Sequence, residues 1–187
     1  TLLFSATMPI KIKILAIKLL KNPKNISLAI SKPAKGIMQK AYMVADSEKV
    51  NLVREILRAK GEDLCHVLIF ASSIKNVREI KRTLNKAGMK TSEMHSGLDQ
   101  TEREKTIRDF RSKKIKILVA TDILSRGIDI KDIEIVINYE VPYDAEDYVH
   151  RIGRTGRAGK KGIAITFIIP SEKNKLRFIE KRVNNNA

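Results

Sequence analysis

The fold of this chain is constrained most by a regular alternation of short apolar runs with amphipathic stretches. Most of the apolar runs are rich in Val and Ile and only a few residues long, as is typical of buried parallel strands. The alternation predicts an α/β fold with a mainly parallel sheet and helices on both faces. The six candidate strands are residues 39–45, 66–70, 90–94, 115–120, 133–138 and 162–169.

Helix-start residues precede several of the amphipathic stretches. Asp46 can cap the helix after the first candidate strand, and Ser72 or Ser73 can cap the next one. Asp99 with Glu102 has the pattern of a capping box. The apolar residues after each cap recur every three or four positions, so each helix has one apolar face to place on the sheet.

The beginning of the chain has a different pattern from the rest. Apolar residues fall at helical spacing with lysines between them until Asn22-Pro23 ends the run. Residues 31–36 have the composition of a linker. We expect residues 1–30 to be the tail of a preceding domain and residues 37–187 to be a complete domain. Because the chain begins with Thr1 rather than Met, we expect it to be a piece of a longer polypeptide.

The formal net charge is +16, from 37 Lys and Arg against 21 Asp and Glu. This surplus favours a polyanionic partner, although a lysine-rich proteome would leave the same excess on solvated faces.

Cys65 is the only cysteine, which excludes an internal disulfide and favours a reducing compartment such as the cytoplasm. The histidines have no metal-ligand spacing, and no apolar stretch reaches the roughly 20 residues of a membrane span. We expect neither a metal site nor membrane insertion.

Residues 150–159 combine three arginines and one histidine with three glycines. Guanidinium forks bind phosphate oxygens bidentately, and glycine allows a backbone to approach a charged ligand closely. A basic surface loop would not need the glycines, and a turn would not need the arginines. The block therefore predicts a site for a phosphate chain.

Polar residues follow two of the candidate strands, at the carboxyl ends where such sheets bind their ligands. Thr121 and Asp129 come after the run 115–120, where Thr121 can donate to a phosphate and Asp129 can accept from a ribose hydroxyl. Ser73 follows another strand, and a hydroxyl with exposed amides at a helix start suits a phosphate. Taken alone each signal is weak, since a serine at this place is more often an ordinary helix cap.

Several blocks together resemble the later conserved motifs of DEAD-box RNA helicases. Residues 1–9, 120–129 and 150–159 occur in that family's order and approximate spacing, and the segment 94–103 fits as well. The form His-Arg-Ile-Gly-Arg-Thr-Gly-Arg separates this family from DEAH-type and RecQ-type helicases, which typically begin the motif with Gln. The resemblance covers essentially the whole chain.

The resemblance implies a RecA-like three-layer sandwich and an ATP-dependent RNA helicase that separates short duplexes locally. Residues 1–30 would then end a first RecA-like domain, residues 31–36 would link the domains, and residues 37–187 would form the second. RNA and the N-terminal RecA-like domain are the implied partners. ATP with Mg²⁺ is the implied cofactor, and the Mg²⁺ ligands would lie in the absent domain.

The resemblance also implies a role for each matching residue. Arg154 and Arg157 would be catalytic residues that reach the terminal phosphate of ATP. Asp129 would bind the ATP ribose, and Arg126 would belong to the same site. The implied RNA-binding residues are Ser73, Gly97, Gln100, Arg103 and Thr121. The implied interdomain coupling residues are Ser5, Ala6, Thr7, His150 and Arg151.

The sequence lacks other parts of such an enzyme. It has no Gly-x-x-x-x-Gly-Lys-[Ser/Thr] loop and no Asp-Glu-Ala-Asp box. We therefore expect the 187 residues alone to hydrolyse ATP negligibly and to bind RNA weakly.

One alternative is a non-catalytic RNA-binding or partner-docking module on the same fold, against which the intact arginines argue. Another is a DNA translocase of the same superfamily, which the form of the 150–157 motif disfavours.

Overall fold

The computed structural model describes residues 1–3, 10–26, 36–61, 66–122, 130 and 133–185. The chain divides into two compact units, Thr1–Ser31 and Lys32–Ala187. The helices are α1 (Ile10–Leu19), α2 (Lys49–Arg58), α3 (Ile74–Lys86), α4 (Gln100–Arg111), α5 (Ala145–Ile152) and α6 (Lys173–Asn185). The strands are β1 (Ile37–Met43), β2 (Val67–Phe70), β3 (Thr91–Met94), β4 (Ile117–Ala120), β5 (Ile135–Asn138) and β6 (Gly162–Ile168).

The described strands of the second unit form one parallel sheet in the order β1-β6-β5-β2-β4-β3. Strands β2, β4 and β5 are buried along their whole length, because helices cover both of their faces. Their continuous Val and Ile runs are what burial on both faces requires. The predicted α/β fold with a mainly parallel sheet and helices on both faces is confirmed.

Two apolar cores lie on opposite faces of the sheet. On one face, α2 and α3 pack Val53, Leu57, Ile80 and neighbouring side chains against alternate residues of β2, β4 and β5. On the other face, Phe110 of α4 packs against the remaining alternate residues, such as Leu68 of β2. Alternation along each strand therefore divides its side chains between the two cores.

The predicted strand positions agree with the structure, and the bounds differ by a few residues. The first strand begins at Ile37, two residues earlier than predicted, because its pairing with β6 extends back to Gly162. The prediction that Asp46 caps α2 is wrong. A short 3-10 turn over Asp46–Glu48 comes first, and Asp46 instead forms an ion pair with Lys49 at 3.0 Å.

Two other predicted caps are confirmed. The Ser73 hydroxyl oxygen accepts from the backbone N–H of Asn76, and this bond caps the start of α3. Asp99 and Glu102 form a complete capping box at the start of α4. These caps satisfy backbone donors that the first helical turn leaves without partners.

The first unit contains α1, and the helical run expected before Asn22-Pro23 is present. Most of its apolar side chains are exposed, among them Ile10, Ile14 and Ile17. In the part of the chain that the structure describes, no helix is both long and apolar enough to cross a bilayer.

Candidate functional site

The carboxyl ends of three central strands meet at one edge of the sheet. In the parallel register Phe70 of β2 lies beside Ala120 of β4 and beside Asn138 of β5. Thr121 directly follows β4, and Ser73 comes three residues after the end of β2. Both predicted site residues therefore begin connections that leave the same edge of the sheet.

The start of α3 already holds a carboxylate from within the protein. Glu140, just beyond β5, accepts from the Ser72 backbone N–H and from the Ser72 hydroxyl, both at 3.0 Å. It also accepts from the side-chain amide of Asn76. Glu140 thus occupies donors that a phosphate would use at a free helix N-terminus. Sequence reasoning missed this residue, although its place two positions after a predicted strand was a usable signal.

In the turn between β3 and α4, Arg103 is bonded to the residue that precedes Gly97. The Nη2 atom of Arg103 donates to the carbonyl oxygen of Ser96 at 2.8 Å. Gln100 has a different partner, because its side-chain amide donates to Glu104 on the exposed face of α4 at 2.8 Å. The predicted RNA-binding residues of this segment are therefore divided between the turn and the exposed surface of α4.

Arg151 lies inside the second unit with its side chain paired to Asp122. Its Nε and Nη2 atoms donate to the two oxygens of the Asp122 carboxylate at 2.7 and 2.8 Å. The guanidinium lies 5.3 Å from the centroid of the Phe70 ring, and Nη1 is 3.5 Å from the side-chain oxygen of Asn138. Arg151 is only 4% exposed. The contacts described for it join α5 to the ends of β2, β4 and β5, so its predicted interdomain role stays a prediction.

Arg154 and Arg157 follow the end of α5, and each donates to the backbone carbonyl four residues earlier. The Nε of Arg154 donates to the carbonyl oxygen of His150 at 3.2 Å. The Nε of Arg157 donates to the carbonyl oxygen of Gly153 at 2.8 Å. Each side chain therefore folds back over the residue four positions earlier, which fixes the base of its guanidinium fork. His150 is half-buried in the last turn of α5.

Internal packing requires two of the three glycines around these arginines. A Cβ on Gly153 would lie 2.9 Å from the carbonyl oxygen of Val149. Gly156 has a φ of +67°, and a Cβ there would lie 2.5 Å from the side chain of Ile37. The close approaches that these two glycines allow are thus to the protein itself, whereas the sequence interpretation assigned them to a ligand.

Tyr148 connects α5 to β1, and both Tyr148 and the buried Tyr139 stay neutral. The hydroxyl of Tyr148 on α5 donates to the side-chain oxygen of Gln39 on β1 at 2.7 Å. Burial, with the nearby charge of Glu180, raises the pKa of Tyr148 to about 12. Burial likewise raises the pKa of Tyr139 far above its usual value, and the Glu140 carboxylate acts in the same direction. Neither phenol is suited to proton transfer near neutral pH.

Some predicted site residues lie outside the described residues. These are Ser5, Ala6, Thr7, Arg126 and Asp129. Their implied roles stay predictions.

The family comparison agrees with this architecture. A family model for the helicase conserved C-terminal domain matches residues 48–159, more than half of the chain. The DEAD-box ATP-dependent RNA helicase CshA of Bacillus licheniformis is 40% identical over 182 residues, covering 97% of this chain and 37% of that protein. The CshA of Listeria monocytogenes is 38% identical, covering 97% of this chain and 35% of that protein.

Solved structures show the same fold. A DEAD box protein from the hyperthermophile Methanococcus jannaschii is 41% identical with a TM-score of 0.72, covering 97% of this chain and 48% of that one. Dbp5 of S. cerevisiae, in a structure bound to RNA and ADP BeF3, is 30% identical with a TM-score of 0.80, again covering 97% and 48%.

The parallel six-stranded sheet is that of a RecA-like helicase C-terminal domain. The chain belongs to the DEAD-box protein family, as a C-terminal RecA-like domain. It spans little more than a third of the length of the curated relatives that it matches.

Proposed function

We propose that this chain is the C-terminal part of a helicase that couples ATP binding and hydrolysis to RNA binding and local duplex unwinding. Residues 1–30 would be the end of the first RecA-like domain, with the coupling motif Ser5-Ala6-Thr7. Residues 31–36 would link it to the second domain at residues 37–187. Without the rest of the first domain, the 187 residues would not hydrolyse ATP. We also propose a cytoplasmic location.

The observation that supports coupling most directly is the bidentate pair between Arg151 and Asp122. Asp122 follows Thr121, a proposed contact to the RNA backbone. Arg151 lies three residues before Arg154, a proposed contact to the ATP phosphates. A displacement of the Thr121 segment is therefore passed to the end of α5 through two short charge-assisted hydrogen bonds.

The arginines after α5 suit the phosphates of a nucleoside triphosphate. Arg154 and Arg157 provide planar forks that match phosphate oxygens, and each fork has a backbone anchor at its base. Asp129 and Arg126 would hold the ribose side of the nucleotide. ATP with Mg²⁺ supplies the transferable phosphoryl group, and the N-terminal domain would provide the Mg²⁺ ligands. An arginine supplied from a second domain contributes about 10³–10⁵ to the rate of such reactions.

The sheet edge and the turn before α4 would bind RNA. Ser73, Thr121 and Arg103 would contact the backbone, with Gly97 and Gln100 near the same surface. The net charge of +16 favours a polyanion. Contacts to phosphates and 2′-hydroxyl groups would give little sequence specificity but would favour RNA over DNA. A solved structure of the relative Dbp5 bound to RNA supports RNA as the polyanion.

The test uses the longer polypeptide that carries this chain, assayed for ATPase activity with RNA and with DNA of the same sequence. We expect stimulation by RNA, and we expect Arg154→Ala to lower the stimulated kcat by about 10³-fold or more. Arg177→Ala is the matched control, because Arg177 is exposed on α6 and is not part of the proposed site. It should leave kcat unchanged.

The same assay separates the alternatives. RNA binding without ATP hydrolysis by the longer polypeptide would favour a non-catalytic RNA-binding or partner-docking module. Equal stimulation by DNA would contradict the assignment to RNA. An unchanged kcat in Arg154→Ala would remove the catalytic role proposed for that arginine.

A further inference from the structure

His95 is a fully buried histidine that contacts the turn between β3 and α4. Its side chain is 0% exposed, and its Nδ1 accepts from the backbone N–H of Gly97 at 3.1 Å. A ring nitrogen that accepts a hydrogen bond carries no proton, so the neutral ring has its proton on Nε2. The fit is tight, because a Cβ on Gly97 would lie 3.2 Å from the same Nδ1.

The other side of the ring faces a carboxylate. The Nε2 of His95 lies 3.6 Å from Oε2 of Glu93, and the second carboxylate oxygen accepts from Lys81 of α3 at 3.0 Å. A proton on Nε2 and a negative carboxylate at this distance attract one another, although the separation is too long for a hydrogen bond. Glu93 therefore favours the ring state in which Nδ1 is free to accept from Gly97.

His95 and Arg103 hold opposite ends of one peptide group. The N–H of Gly97 and the C=O of Ser96 belong to the same peptide unit, which is planar and points its two polar groups in opposite directions. His95 accepts from the N–H, and the carbonyl accepts from Nη2 of Arg103 at 2.8 Å. Because the peptide is planar, fixing its N–H also fixes the direction of its carbonyl, which accepts the hydrogen bond from the guanidinium.

We propose that His95 is a positioning residue for Arg103 and acts through the peptide group between Ser96 and Gly97. Without an acceptor at Nδ1, this peptide can rotate and its carbonyl turns away from the guanidinium. Arg103 then loses its backbone anchor and with it the orientation needed to bind an RNA phosphate. This role rests on the proposed function, in which Arg103 contacts the RNA backbone.

The critical comparison is between His95→Asn and His95→Leu in the longer polypeptide. Asn and Leu have the same branched shape, but only Asn places an oxygen two bonds from Cβ, where His has Nδ1. We expect Leu to raise the RNA concentration for half-maximal ATPase stimulation about tenfold, the effect of one lost hydrogen bond to a charged group. At saturating RNA, the KM for ATP should not change. Asn should restore RNA affinity close to that of the unmodified protein.

A double variant tests whether His95 affects RNA binding through Arg103. If His95 acts through Arg103, His95→Leu combined with Arg103→Ala should bind RNA no more weakly than Arg103→Ala alone. Additive losses would overturn the proposal, as would a Leu variant with unchanged RNA affinity or an Asn variant as weak as Leu. If Arg103→Ala itself leaves RNA affinity unchanged, the proposed RNA contact of Arg103 fails instead.

A spectroscopic measurement needs neither RNA nor the other domain. The chain has three histidines, so ¹⁵N-histidine spectra of the 187 residues are simple to assign with His95→Asn. We expect His95 to show an unprotonated Nδ1 and a protonated Nε2. Protonation at Nδ1 would overturn the proposal even if the Leu variant failed to fold.

Discussion

Arg151 carries a charge that the fold has removed from water, and its surroundings compensate that charge. Asp122 supplies two oxygens to the fork, and the Phe70 ring packs near the guanidinium. A buried cation that loses its partner keeps the full cost of desolvation. The side chain of Asp122 is 47% exposed, so solvent screening reduces the strength of the pair.

We expect Asp122→Asn to lower the free energy of unfolding by about 2 kcal/mol, because it removes the charge opposite a buried guanidinium but keeps the side-chain shape. Urea unfolding followed by circular dichroism measures the change. Glu55→Gln is the matched control, because Glu55 is 57% exposed and pairs with Arg54 and Arg58 on the surface of α2. The control should lose less than about 0.5 kcal/mol. Equal losses would contradict the distinction between the two pairs.

At the scale of elements, the local sequence pattern predicted where the strands lie but not the residues at which they begin and end. The runs that became β2, β4 and β5 are apolar throughout, because both faces of each strand are buried. The cap at Ser73 was predictable from residue type. The failure at Asp46 has a local cause: a carboxylate before a helix signals a cap, but it does not show that a 3-10 turn comes first. The order of the strands depends on long-range packing and was not predicted.

The start of α3 also depends on a contact with a residue that is distant in the sequence. Glu140 reaches it from the end of β5 and accepts from Ser72 and Asn76. A carboxylate at this place satisfies exposed amide donors and interacts favourably with the helix dipole. Glu140 therefore connects the carboxyl edge of the sheet to the start of α3.

We expect Glu140→Ala to lower the free energy of unfolding by about 1–2 kcal/mol and to speed amide exchange at Ser72, whose N–H loses its acceptor. Urea unfolding and hydrogen exchange with mass spectrometry measure the two effects. Glu79→Ala is the control, since Glu79 is an exposed carboxylate on the same helix. If amide exchange at the start of α3 were the same in both variants, Glu140 would not stabilise this end of the helix.

At the scale of the whole molecule, part of the site followed from the topology that the sequence predicted. Parallel strands end at a common edge, so Ser73 and Thr121 could be placed there without coordinates. The pairing of Arg151 with Asp122 could not, because it depends on where α5 brings Arg151 relative to the end of β4. The contact between His95 and Gly97 was also hidden, because the resemblance of segment 94–103 to a family motif does not show which backbone group the ring would bind.

The boundary between the two units gives a prediction about the folded chain. The carbonyl oxygen of Gly36 accepts from the N–H of Gly162 at 3.0 Å, so the sheet begins there. Ile37 is 8% exposed and packs against Gly156. If the proposed domain division is correct, residues 1–35 contribute nothing to the stability of the second domain.

We expect residues 36–187 to unfold in urea with the same free energy as the full 187 residues. A chain of residues 39–187 is the matched comparison, because it removes Ile37 together with the first residues of β1. It should be less stable by about 2 kcal/mol, the effect of losing a buried aliphatic side chain and its strand pairing. If residues 36–187 were as unstable as residues 39–187, the first unit would be part of the folded domain and the proposed boundary would be wrong.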